Sequence, residues 1–123
     1  MDEKTYTLKQ VSGQLGIPVY TVRRLCNAGL VVGIRRNRNG YRVLNEEQVN
    51  ELGMFVKLLR AELTMGELKK YARLQRQGGK TLQERKGMLE TQRRQLWLKI
   101  QELQEGIGFI ERMMEILDES ANP

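Results

Sequence analysis

Apolar positions along the first third of the chain fall into two short helical patterns separated by a glycine-containing turn. Leu8, Val11 and Leu15 recur at spacings of three and four and stop at Gly16, the order of a helix ended by a left-handed glycine. A second helix is expected to begin near Pro18, whose fixed φ suits a first turn. It puts Val22, Leu25 and Cys26 on one side and Tyr20, Arg23, Arg24 and Asn27 on the other. Two short helices joined this way, the second with a basic outer face, have the layout of a helix-turn-helix that reads DNA.

Beyond Gly29 the period changes. Leu30–Ile34 and Tyr41–Leu44 read as strands, and the segment between them, residues 35–40, ends in Asn39-Gly40, a hairpin signal. The expected product is a two-stranded wing with Arg35, Arg36 and Arg38 towards its tip. Helical spacing then returns at Val49, Leu52, Val56, Leu59 and Leu63, followed by a shorter helix over about 65–76 with Leu68, Tyr71 and Ala72 inward. Four helix starts carry a side-chain acceptor three residues ahead of Glu or Gln: Thr7 with Gln10, Asn45 with Gln48, Thr64 with Glu67 and Thr81 with Glu84. Each can satisfy two free amides reciprocally. Gly78 and Gly79 mark the end of the head.

From there the pattern is a heptad. Leu82, Leu89, Leu96, Leu103, Ile110 and Leu117 recur every seven residues, with Lys86, Arg93, Ile100, Ile107 and Met114 interleaved. A helix carrying such a seam, roughly 50 Å long at 1.5 Å per residue, cannot bury it alone. The expected dimerisation residues are Leu89, Leu96, Ile100, Leu103, Ile107, Ile110, Met114 and Leu117. Residues 80–99 hold six basic and two acidic groups, whereas 101–123 hold Arg112 against six acidic ones. The helix dipole favours the opposite order, so an antiparallel pair, each basic half beside an acidic half, is expected. Gly106 and Gly108 weaken the helix by about 2 kcal/mol relative to alanine and leave room for close approach of a partner. Trp97 beside the seam is read as packing at the dimer edge, and the methionines as gap-fillers.

The expected architecture is mainly α, a winged helix-turn-helix head over 1–77 and a coiled-coil dimerisation helix over 80–118, with 119–123 a flexible tail. Aromatic residues make up only 6% of the 123 residues and charged ones 29%, a balance that suits helical surface better than a thick core.

Charge adds the functional clue. The net charge is +6, and eight of the 21 basic residues but only two of the 15 acidic ones lie within residues 1–45; the remainder balance. A basic head on a neutral body suits a polyanionic partner. With no histidine and Cys26 as the single cysteine, neither an intrachain disulfide nor a structural zinc site can form, and no metal or other cofactor is expected. Acid-base or nucleophilic catalysis lacks its clustered groups, so the chain is not read as an enzyme. No apolar run is long enough to span a bilayer and no leader pattern opens the chain, which points to a cytoplasmic protein without a membrane partner. Cys26 reads as a small buried thiol, a redox switch beside the arginines being the minor alternative.

The segments Leu8–Leu15, Gly16-Ile17-Pro18, Thr21-Val22-Arg23, Gly29-Leu30, Asn39-Gly40-Tyr41-Arg42 and Thr64–Leu68 together resemble the mercury-resistance-regulator (MerR) family of bacterial transcription regulators, over about residues 6–76. The resemblance implies a homodimer on a two-fold promoter element of double-stranded DNA, whose spacer many members distort so that RNA polymerase can start. It also implies Tyr20, Thr21, Arg23 and Arg24 at the major groove. By the same resemblance Arg35, Arg36, Arg38, Asn39, Tyr41 and Arg42 are expected to form the wing contact, with Arg36, Arg38, Tyr41 and Arg42 at phosphates. The chain departs from the family where paired tyrosines and a glutamate are replaced by Arg24, Leu25 and Cys26. With only six residues after Leu117 no effector domain is expected, a small-molecule effector is left open, and the cysteines of metal-sensing members are missing from the dimer helix. Two other readings fit the residues: an architectural or excisionase-like DNA-bending factor, and a coiled-coil adaptor with a basic head, which has no need of an arginine-tipped wing.

Overall fold

The computed structural model of the chain describes residues 3–122; the expectations for Met1, Asp2 and Pro123 lie outside them. In chain order the elements are β1 (Thr5–Thr7), α1 (Leu8–Leu15), α2 (Val19–Asn27), β2 (Arg35–Arg36), β3 (Arg42–Asn45), α3 (Glu46–Arg60), α4 (Met65–Arg76), a 3₁₀ turn (Gly78–Thr81) and α5 (Leu82–Ala121). The chain is mainly α. Its compact head extends through Lys86, past the two glycines, and the remainder of α5 forms a second unit.

Three of the four expected helix starts form as reciprocal caps: Thr7 with Gln10 on α1, Asn45 with Gln48 on α3, and Thr64 with Glu67 on α4. The hydrogen bonds from Thr64 hold the Glu67 carboxyl below its ordinary range. Thr81 does not cap α5. Its hydroxyl turns back towards the carbonyls of Leu74 and Gly78, 2.6 and 2.9 Å away, and accepts from Arg85 Nε at 3.1 Å. Glu84 reaches Lys70 instead, at 3.9 Å. The 3₁₀ turn already feeds α5, so Thr81 fastens the corner between α4 and α5.

The sheet is three-stranded and antiparallel in the order β1-β3-β2, with Tyr6 opposite Leu44 and Arg36 opposite Arg42. Strand β1 lies in a segment the hydrophobic pattern leaves unassigned, because three residues carry too few alternations to read. The expected strand Leu30–Ile34 is corrected to a loop. Leu30 and Val31 are both buried while Val32 is 60% exposed, an order that the alternating faces of a strand cannot produce. On the wing side β3 pairs with Arg35–Arg36, beyond the segment expected as a strand.

Val11 of α1, Val22 and Leu25 of α2, Leu44 of β3, Leu52 and Phe55 of α3 and Leu68 of α4 meet in one core without exposure to solvent. Leu30 and Val31 of the loop join them. The core thus fixes α2 by one face and leaves its other face out. Helix α5 continues to Ala121 through the residues expected as a flexible tail, since nothing in Glu119-Ser120-Ala121 breaks a helix and the proline comes only at 123.

Candidate nucleic-acid interface

Helix α2 is held by Val22, Leu25 and Cys26, all buried, which leaves Tyr20, Arg23 and Arg24 exposed and Thr21 half-buried. Burial pushes the Cys26 thiol up, against a smaller downward pull from Arg42. A buried protonated thiol suits packing, and the redox alternative loses its low-pKa thiolate.

The wing tip is a four-residue turn, Asn37–Gly40. Gly40 N–H donates to the Asn37 carbonyl at 2.9 Å, Asn37 N–H donates to the Tyr41 carbonyl at 2.8 Å, and Gly40 sits at φ 85°. Asn39 is not in the left-handed region. The turn is therefore a type I turn closed by a glycine bulge, not a two-residue turn on Asn39-Gly40. Asn37 Oδ1 accepts the amides of Asn39 and Tyr41, both at 3.0 Å, and this acceptor stiffens the tip.

The wing arginines differ in what holds them. Arg35 forms an ion pair with Glu3 at 2.8 Å. Arg36 Nη1 donates to the Gly40 carbonyl at 2.7 Å, and Arg42 Nη1 donates to Asn27 Oδ1 at 2.7 Å. The side chains of Arg23, Arg24 and Arg38 make no protein hydrogen bond or ion pair among the described residues. Their five donors each are available to an outside acceptor.

Arg23, Arg36, Tyr41 and Arg42, together with Thr7, Leu8, Lys9 and Val19, line one cleft of about 410 Å³ between the start of α1, the start of α2 and the wing. The structure thus brings part of the expected reading helix and part of the wing to one opening. Arg38 and Asn39 stand at the tip, and Arg24 is on the exposed face of α2. Lys9, Thr7 and Asn27 were not among the expected site residues. Lys9 was legible only as one more head cation, and nothing in the sequence marks Asn27 as a partner for Arg42, fifteen residues away.

Because Arg35 is already paired, Glu3→Gln is expected to raise affinity for any DNA about two- to threefold at low salt, the scale of an exposed ion pair. Fluorescence anisotropy against random duplex measures it. An unchanged affinity would mean that Arg35 takes no part in binding.

On α5 the seam residues are unpartnered in the single chain, from 37% exposed at Leu89 to 64% at Leu117, with Leu96 half-buried. Trp97, Phe109, Met113 and Ile116 are exposed besides, an apolar face broader near the C-terminus than the seam itself. No helix among the described residues is long and apolar enough to cross a membrane.

A helix-turn-helix whose second helix turns an arginine-rich face outward, beside an arginine-tipped hairpin, defines a winged-helix DNA-binding domain. Residues 6–75 match the family described as MerR HTH family regulatory protein, and the chain belongs to that family. An HTH-type transcriptional regulator of Haemophilus influenzae is 25% identical over 107 residues, covering 87% of this chain and 79% of the relative. A putative MerR family transcriptional regulator from Listeria monocytogenes is 28% identical with a TM-score of 0.77, over 92% of this chain and 86% of that one. The fold is shared as well with HiNmlR, a MerR family regulator lacking the sensor domain, solved bound to promoter DNA. Its TM-score is 0.76 at 24% identity, over 90% of this chain and 88% of that one. Membership of that family makes the chain a transcription regulator and not an enzyme.

Proposed function

We propose that the protein acts as a homodimer on a two-fold promoter element of double-stranded DNA and regulates transcription by distorting the promoter that RNA polymerase uses. The observation that carries this reading is the shared cleft: Arg23 of the reading helix opens on it together with Arg36, Tyr41 and Arg42 of the wing. That arrangement lets one protomer touch a base edge and the adjoining backbone at once. The exposed heptad seam of α5 and its basic-then-acidic charge order support two copies running antiparallel, and the promoter-bound state of HiNmlR supports the choice of ligand. A coiled-coil adaptor is disfavoured because it gives the wing no task.

Arg23 and Arg24 carry the base contacts, where an arginine binds the O6 and N7 edge of guanine with two parallel bonds. Arg38 adds sequence-blind attraction to phosphate. Footprinting on the DNA upstream of the protein's own gene, at two salt concentrations, tests the reading. The expected result is a protected two-fold site whose affinity falls steeply with salt; equal binding to all DNA would instead favour an architectural factor. Arg23→Ala is expected to cost about 1–3 kcal/mol and relax base preference at its own position, while Arg38→Ala weakens all sequences alike and lowers the salt slope by about one. Identical behaviour of the two variants would overturn the division of roles.

A further inference from the structure

We propose that Arg42 is a positioning residue: through Asn27 it brackets the wing to the end of the reading helix, so that the two DNA-facing elements are held as one body. This rests on the DNA-binding reading above and assigns to Arg42 a task other than gripping phosphate on its own.

Asn27 is the last residue of α2 and Arg42 the first of β3. Between them runs the loop that carries Leu30 and Val31 into the core. The backbones of α2 and the two wing strands come close at few positions, and apart from Leu44, which shares the core with Val22 and Leu25, the wing is not packed into the head through that core. Among the described residues the 2.7 Å bond from Arg42 Nη1 to Asn27 Oδ1 is the side-chain hydrogen bond that joins α2 to the wing strands. Arg42 is half-buried, unlike the exposed Arg38. Its guanidinium also sits at the carboxyl end of α2, where helix carbonyls favour a cation. The pull of Arg42 on the neighbouring Cys26 thiol places the charge at this same last turn.

The consequence is mechanical. A hairpin with only two residues of β2 paired to β3 has little rigidity of its own. It is steadied on one side by the pairing of β3 with β1, and the bracket steadies it on the α2 side. With the bracket intact, a wing seated on phosphate sets the depth and angle of α2 in the groove; without it, each element binds with its own slack. Preorganisation of this kind is gained before DNA arrives.

Two measurements on the full chain test the bracket. In hydrogen exchange on the free protein, Asn27→Ala is expected to speed exchange of the wing amides of Asn37 and Tyr41 several-fold and to leave the amides of α3 unchanged. In titrations of the two-fold site across a salt series, Asn27→Ala, which alters no charge, weakens binding about tenfold, on the scale of a hydrogen bond to a charged group. Arg42→Ala does the same, the double variant is no weaker than Arg42→Ala, and the salt slope shifts far less than for Arg38→Ala. The proposal is overturned if Asn27→Ala matches the wild type in both measurements while Arg42→Ala lowers the salt slope by about one, the mark of a simple phosphate contact. Should the wild type itself show no preferred site, the regulator reading falls, while the exchange comparison still decides whether the bracket holds the wing.

Discussion

Phe55→Ala is expected to lower the melting temperature of the head by roughly 15–30 °C. Phe55 is the largest of the fully buried side chains and stands on α3 where α1, α2, β3 and α4 converge in the core. Truncating such a ring costs about 3–5 kcal/mol, part from lost transfer free energy and part from the cavity left behind. In a domain of this size each kcal/mol moves the midpoint by about 4–8 °C. The whole head is worth on the order of 4–12 kcal/mol by the usual per-residue stability, so the variant is left with little or none in reserve. Calorimetry is the suitable probe, since the sole tryptophan, Trp97, lies on α5 outside the unit that holds this core. Phe55→Leu, which keeps most of the volume, should lose far less. A drop below about 5 °C for the alanine variant would mean that the core does not centre on this ring.

The same residue shows how far the fold could be read in advance. A spacing rule picks Val49, Leu52 and Val56 out of α3, and all three are buried; it passes over Phe55, one position from Val56 and three from Leu52, although Phe55 is the largest side chain buried completely. Periodicity says which face is inward but not which side chain the interior is built around. Helix starts were legible where the cap is local, at Thr7, Asn45 and Thr64, because both partners lie within four residues. Thr81 failed the same rule since its hydroxyl is claimed by Leu74, seven residues back. Leu30 and Val31 were legible as apolar but not as a loop, because the core they join is assembled from elements along the whole head.

The candidate site divides along the same line. The outward face of α2 follows from one helical turn of sequence, so Tyr20, Arg23 and Arg24 could be named from their spacing. The wing arginines could be named as a group but not told apart. Arg35 to Glu3, Arg36 to Gly40 and Arg42 to Asn27 are pairings set by strand register and by how the hairpin lies against α2. Only tertiary structure separates the occupied cations from Arg38, which remains available.

Ile107→Asp is expected to convert the protein to a monomer at micromolar concentration and to abolish preference for the two-fold site. Ile107 is 57% exposed in the single chain and lies midway along the seam with Leu103 and Ile110, so a partner helix must cover it if two copies associate. In the proposed dimer the substitution occurs twice, each time removing about 2 kcal/mol of apolar burial and placing a carboxylate in an apolar seam. Together these weaken association by on the order of a thousandfold or more, since every 1.4 kcal/mol is a factor of ten. The head folds on a core that contains no residue of the seam, and the variant should keep the melting transition of the head. What it loses is the second, simultaneous contact with DNA, and its affinity should fall to that of a single basic head binding any sequence. The helix orientation enters through charge. An antiparallel pair sets residues 80–99, rich in Lys and Arg, beside 101–123, rich in Asp and Glu, whereas a parallel pair sets like against like. Dimer affinity in the wild type should therefore weaken with added salt if the copies run antiparallel and strengthen if they run parallel. Light scattering coupled to size exclusion reads both experiments. A wild-type chain that runs as a monomer with α5 still helical would remove the physical basis for recognising a paired site.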